Sequence, residues 1–340
     1  MMKKLVYMTM IAFIIITFGC GRPPSIWEAG VNVYVVGYDV LNTRADSIKA
    51  TIWSNGVAQR LSNEPSVAHA VFVSGNDVYV AGHVVCDVSL GEAVFNATLW
   101  KNGVEQRLTD EYSLAHSVFV SGDDVYVAGN VLGHATLWIN GVEQSLSEEL
   151  SIASFVFVSG EDVYVAGHAV DGDNLSATLW KNGVKQSLSG ERSHASSVFV
   201  SGDNVFVVGS IGEGEETRAI LWENGIEQIL SDQRSQASFV FISGNDVYIV
   251  GSTGIGDNLR AILWTNGVEQ RLSRERSSAY SVYISGNYVY VAGIVGTVRD
   301  HHRAIIWKNG VEQRLSRGGA QSRSFGRSVF VTGGTTITRD

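Results

Sequence analysis

Two cysteines in 340 residues leave almost no capacity for covalent cross-linking. With Cys20 closing an apolar leader, Cys86 stands alone, so disulfide scaffolds and cysteine-ligated zinc folds are excluded and stability must come from packing. Proline is as scarce: Pro23, Pro24 and Pro65 are the only three, and none interrupts the chain beyond residue 65. Long apolar runs are absent apart from Leu5–Phe18, which at fourteen residues is short for a membrane span. Charged residues make up 17% with a net charge of −9, and basic residues do not cluster, which excludes a nucleic-acid footprint. Helical periodicity is missing after the leader. Nucleophile elbows, His-Glu-x-x-His pairs and phosphate-binding Gly-Lys-Ser/Thr loops are missing too.

What the chain has instead is one phrase repeated seven times. It runs S-x-A-x-S-V-F-V-S-G-[ND]-D-V-Y-V-A-G, then a variable gap, then A-T-L-W-x-N-G-V-x-Q-x-L-S. Trp53, Trp100, Trp138, Trp180, Trp222, Trp264 and Trp307 mark it, at spacings of 47, 38, 42, 42, 42 and 43 residues. A period near 42 with four short strands predicts the blade of a β-propeller. Strand A reads Val118–Ser121, strand B Asp124–Ala128 and strand C Ala97–Trp100; Asn-Gly then turns strand C into strand D, because a type I′ hairpin needs positive φ at both central residues. Strands A and B are apolar on both faces, as expected of sheets sandwiched between neighbours. Phe119, Tyr126 and Trp138 are accordingly expected between blades.

The ends fix the closure. The chain enters at strand B (Asn32–Gly37) with no strand A before it and finishes on a lone strand A (Ser328–Gly333). The expected fold is therefore an all-β, seven-bladed propeller of four-stranded antiparallel blades over residues 31–333, with the first blade assembled from 31–62 plus 326–333 and a tail at 334–340.

Lys3 and Lys4 before the apolar run give residues 1–19 the layout of a secretory signal. Thr17-Phe18-Gly19-Cys20 resembles a bacterial lipoprotein box, which implies lipid attachment at Cys20 and a tether over 20–30. The expected location is the bacterial cell envelope, anchored to the outer membrane or cell surface, or secreted without the lipid. The repeat itself resembles the HAF type of bacterial extracellular repeat. Ala177-Thr178-Leu179-Trp180-Lys181-Asn182-Gly183 with Leu188-Ser189 corresponds to that family's Ala-Phe-Leu-Trp-x-x-Gly and Leu-Gly steps, with threonine where the family prefers an aromatic. The resemblance implies the propeller fold and no settled activity.

Antiparallel blades place the A–B and C–D turns at one end of the ring and the B–C and D–A connections at the other. The first end is uniform. At the second, the stretch from strand B glycine to strand C alanine holds 12, 14, 5, 9, 9, 9 and 10 residues around the ring. Recognition normally sits on such variable connections over a rigid scaffold. In the D–A connection, Ser66, Ser113, Ser151, Ser193, Ser235 and Ser277 recur two residues before an alanine, and identity in every copy points to a structural task. The residue after the alanine varies: His69, His116, Ser154, Ser196, Ser238, Tyr280 and, in the closing strand, Arg327. The innermost strand begins there, so His69, His116, Tyr280 and Arg327, together with His194, are the candidate ligand-face residues.

Other signals are structural in this reading. Asp77, Asp124, Asp162 and Asp246 head strand B, where an Asx turn would account for them. Cys86 falls in an expected loop as an idle thiol. Asp171–Asn174 departs from a calcium loop at Leu175, and Asp300-His301-His302 reads as exposed. Gly209–Gly214 and Gly251–Gly256 imitate nucleotide loops with no helix to follow. No catalytic residue, metal or cofactor is assigned. The expected function is a non-enzymatic, envelope-anchored propeller that binds a glycan, peptide or protein on its variable face. A propeller enzyme of polysaccharide lyase or glycoside hydrolase type, and a structural spacer, are the alternatives.

Overall fold

The computed structural model describes residues 27, 30–40, 47–87, 93–172, 174–296, 302–315 and 323–333. The leader, Cys20, the Asp300-His301 pair and the tail 334–340 lie outside them. The described residues form seven four-stranded antiparallel sheets. Blade 1 has the order β28-β1-β2-β3, combining β1 (Asn32–Val40), β2 (Ile48–Ser54) and β3 (Val57–Arg60) with the C-terminal strand β28 (Arg323–Thr332). The closing strand is longer than its sequence motif: it pairs from Val40↔Arg323 to Asn32↔Thr332. Both sheet edges that an open array would expose are thereby removed at the inner side.

Blade 2 shows the common pattern, with β4 (Ser66–Ser74), β5 (Asp77–Asp87), β6 (Val94–Lys101) and β7 (Val104–Arg107). The innermost strand starts at the repeat serine, five residues earlier than the V-F-V-S core suggests. Much of the variable B–C gap is hairpin: β5 runs on to Asp87, so Cys86 sits in the strand's exposed end rather than in a loop. Burial pushes its thiol upward, away from the reactive thiolate.

All seven repeat tryptophans are fully buried between blades. Trp138 of blade 3 packs with Ala97 and Leu99 of blade 2, one contact set among the seams that carry the core. Burying such a ring contributes about 2–3 kcal/mol. Phe119 behaves otherwise. With Phe72, Phe157, Phe199, Phe241, Tyr283 and Phe330 it forms a closed circle of rings, neighbour to neighbour at 4.7–5.1 Å. A circle with one member per blade surrounds the axis, so this phenylalanine is axial rather than interblade. Phe155 and Phe239 meet at 5.1 Å beside it, and these rings line an apolar cavity of about 80 Å³.

The uniform end is clasped by its asparagines. Asn182 has φ 51° and the following Gly183 φ 80°, the type I′ signature, and six further Asn-Gly pairs repeat it. The Asn182 Oδ1 accepts from Val163 N at 2.8 Å, while its Nδ2 donates to Asp162 Oδ1 at 2.7 Å. The aspartates heading strand B thus tie one hairpin turn to the other, with Lys181 adding an exposed ion pair to Asp162, instead of forming Asx turns.

At the other end, each repeat serine joins two blades. Ser66 Oγ accepts from Ala50 N of blade 1 at 3.0 Å and donates to Glu64 O. Ser113, Ser151, Ser193, Ser235 and Ser277 do the same at their own seams, at 2.8–2.9 Å. The closing seam uses Ser324, which accepts from Ala304 N at 2.8 Å. The serine-to-alanine spacing survives there as Ser324 to Gly326, a disguised seventh copy.

Candidate functional site at the variable mouth

Each innermost strand carries one residue too many. Pairing of β4 with β5 slips between Ala68 and Ala70, leaving His69 unpaired. The same slip isolates His116, Ser154, Ser196, Ser238 and Tyr280 in the next five blades, taken in chain order. In blade 1 it falls between Ser328 and Gly326 and isolates Arg327. The variable positions read from the sequence are therefore β-bulges, which turn a side chain out of the sheet's alternation. The bulge also explains the strand B glycine. A Cβ on Gly82 would collide with the Val67 carbonyl oxygen, and the equivalent glycines meet the equivalent carbonyls.

The residue after that glycine forms a second ring that sequence reasoning missed: Tyr38, His83, Asn130, His168, Ser210, Ser252 and Ile294. The available signal was variation directly after an invariant glycine. His69 Nε2 and His83 Nδ1 are 3.2 Å apart, His69 and His116 stack edge-on at 5.5 Å, and His116 Nε2 meets Asn130 Oδ1 at 3.0 Å. His194 is not a bulge residue. It precedes Ala195, and its ring lies 4.5 Å from His168 of the neighbouring blade. Five of the eight histidines thus gather at one mouth.

Burial is the leading reason that all five imidazoles resist protonation. It lowers His83 to about 4 and His168 to about 3, and holds His69 well below the ordinary range. His116 and His194 are lowered for the same reason. Neighbouring imidazoles add repulsion at His69, His83, His168 and His194, and Arg327 adds more at His69. The guanidinium of Arg327 lies 4.8 Å from the Tyr280 ring and 5.9 Å from that of Tyr38, which itself stacks on Phe325 at 4.5 Å. Arg276 is tied to Gly256 O, Gly296 O and His302.

Blades 5 to 7 present a different surface. A cleft of about 340 Å³ is lined by His194, Ser196, Ser210, Gly212, Gln236 and Ser238, among others. One blade onward, a cleft of about 400 Å³ is lined by Gln236, Ser238, Ser252, Gly254, Ser278 and Tyr280, among others. The glycine-rich segments that imitate nucleotide loops wall these clefts, each followed by a single three-residue 3-10 turn, Gly214–Glu216 or Gly256–Asn258. Farther around, Asp39 stands where other blades carry Val84, Val131, Ala169, Ile211, Thr253 and Val295. Burial raises its carboxyl to about 6, against the lowering influence of Arg60 and a hydrogen bond from Thr51. Among the described residues, no group of three or more histidines, cysteines or acids is arranged to hold a metal.

No family model matches the chain, and no curated protein does. Solved structures do. Puromycin hydrolase superposes with a TM-score of 0.55 at 10% identity, over 87% of this chain but 54% of its own. The β-propeller domain of the Trilobed protease from Pyrococcus furiosus gives 0.55 at 12% identity, over 86% of this chain and 96% of its own. The acylaminoacyl peptidase of Pyrococcus horikoshii gives 0.52 at 13% identity, over 85% and 51%. This chain therefore spans about half the length of the two hydrolases. The similarity is one of fold. It also marks a contrast, since the Trilobed protease propeller is described as having an open velcro topology whereas β28 closes this ring.

Proposed function

We propose that the protein is a non-enzymatic binding propeller, held to the bacterial envelope by lipid on Cys20, that takes a glycan, peptide or protein at its variable mouth. The observation that carries this reading is the division of labour around each bulge. The staple serine is the same at all seven seams, while the two residues aimed at the mouth change from blade to blade. Stability does not call for such variety, and recognition does. None of the fourteen mouth positions is a carboxylate. A lyase or hydrolase of polysaccharides draws on acids brought together at one point, ~5–10 Å apart for the two carboxylates of a glycosidase. The likeness of Ala177–Gly183 to HAF-type extracellular repeats supports placement outside the cytoplasm.

The enzymatic alternative has one foothold, the half-buried Asp39, whose carboxyl burial raises to about 6. Two measurements decide. Metabolic palmitate labelling of the full chain should give a lipid-modified band that disappears in Cys20→Ala, and an unlabelled parent overturns the anchor. Polysaccharide mixtures incubated with the full chain should yield no new reducing ends or unsaturated products. Turnover that vanishes in Asp39→Asn would instead establish the enzyme.

A further inference from the structure

The two clefts of blades 5 to 7 are copies of one another, shifted by one repeat. Ser196 corresponds to Ser238, Ser210 to Ser252, and Gly212 to Gly254, and Gln236 and Ser238 belong to both clefts. They exist because small residues occupy positions that hold rings or longer side chains elsewhere. The bulge carries serine at Ser196 and Ser238, as at Ser154 in the blade before, against His69, His116 and Arg327, with Tyr280 forming the far wall of the second cleft, and the position after the glycine carries serine against Tyr38, His83 and His168. Volumes of 340 and 400 Å³ lie within the ~300–1,000 Å³ of small-molecule sites.

The chemistry of the walls narrows the ligand. Among the described residues, the side chains of Ser196, Ser210, Ser238, Ser252 and Gln236 make no hydrogen bond within the protein. The staple serines one to three positions away are all doubly bonded, as Ser193 and Ser235 show. The half-buried hydroxyls and the exposed Gln236 amide in these concavities are free to bond water or a ligand that offers both donors and acceptors. The arginines at the rim are already matched: Arg192 to Glu213 at 3.4 Å and Arg234 to Glu215 at 3.8 Å. The clefts therefore offer no unmatched charge from these groups, a poor fit to an anion and a good one to a neutral polyol.

Resting on the mouth as the binding face, we propose that these clefts are two adjoining subsites for consecutive sugars of an uncharged oligosaccharide, bridged by Gln236 and Ser238. Repetition of the cleft suits repetition in the ligand, and the shared wall makes occupancy of both depend on the same two side chains.

The test is calorimetric titration of the full chain in detergent with cello-, malto-, laminari- and chitohexaose, their monosaccharides, and hexagalacturonate. At least one neutral hexaose should bind, about tenfold or more tighter than its monosaccharide and than hexagalacturonate. Ser238→Tyr should abolish that binding, because it puts a ring into the wall that the two clefts share, and Tyr280 shows that the equivalent bulge accepts tyrosine. Gln236→Ala should weaken binding about tenfold with an unchanged melting curve. Failure of every neutral hexaose to bind overturns the inference. Binding that survives Ser238→Tyr but is lost in His116→Ala also overturns it, while leaving the mouth as the binding face. Binding lost only on substitution at the opposite, turn-bearing end, for instance Asp246→Asn, overturns the reading of the mouth as well.

Discussion

The two ends of the ring are built from the same strands, twenty-eight among the described residues, and follow opposite rules. At the turn end every blade solves the same problem in the same way: an asparagine at φ near 50° followed by glycine, with the asparagine side chain bonding strand B. At the mouth the backbone is just as regular, with a bulge and a glycine in every blade, yet the side chains it aims are histidine, serine, tyrosine or arginine. Backbone geometry is held constant at both ends; only at the mouth is the side-chain chemistry free to differ. Changes at the turn end should therefore register as stability, and changes at the mouth as binding.

The largest test of this contrast removes what both ends share. Deleting residues 323–340 strips β28 from blade 1, exposes the edge of β1 and breaks the Ser324 seam. The product should aggregate or lose cooperative unfolding, as read by size-exclusion chromatography and thermal melting. A deletion that melts within a degree or two of the parent would refute the closure.

Next comes acid. The five mouth histidines are neutral when folded but titrate near 6.5 when unfolded, so the unfolded chain binds protons first as pH falls. Stability should be fully present above pH 6.5 and decline from there through about 4, where His83 titrates in the fold, toward about 3, where His168 does. Urea midpoints at pH 7, 5 and 4 measure this. His83→Gln and His168→Gln together should flatten the decline, and an unaltered pH slope would contradict it.

A single seam substitution ranks beside this. Trp138→Ala empties a fully buried site between blades and should destabilise by about 3–5 kcal/mol in denaturant titration. At the turn end, Asn182→Ala keeps a left-handed φ without the residue suited to it and loses two hydrogen bonds, a cost of about 1–2 kcal/mol. Ser154→Ala at the mouth should stay within about 0.5 kcal/mol. Equal effects from these two would erase the distinction between the ends.

The smallest test runs in the other direction. Leu132 holds φ 50° in the shortest mouth hairpin with its side chain 59% exposed, in the conformation that asparagine occupies seven times at the opposite end. Leu132→Asn should stabilise by about 1 kcal/mol.

Blade number, strand order and closure were legible in the sequence because each is written in a spacing: tryptophan to tryptophan, and the missing strand at one end against the surplus strand at the other. The ring of bulge residues was legible too, as the one varying position after a constant alanine. What escaped was anything decided by a side chain's direction. Phe119 reads as core beside Trp138, and only the extra bulge residue, by shifting the alternation, reveals that it faces the axis. Ser324 was hidden because its alanine partner became Gly326. His83 and His168 fell in a stretch counted as loop, although strand pairing carries them to the mouth beside His69 and His194.

The entry point of the chain gives the propeller an orientation. Asn32 opens β1 beside the Asn55 turn, whose side-chain oxygen accepts from Val33 N at 2.8 Å, so the polypeptide joins the ring on the side away from the histidines and clefts. From Cys20 to Asn32 an extended chain reaches at most about 40 Å. A molecule tethered by lipid at Cys20 would stand on its hairpins like a bowl on its foot, open to the surroundings and facing away from the bilayer.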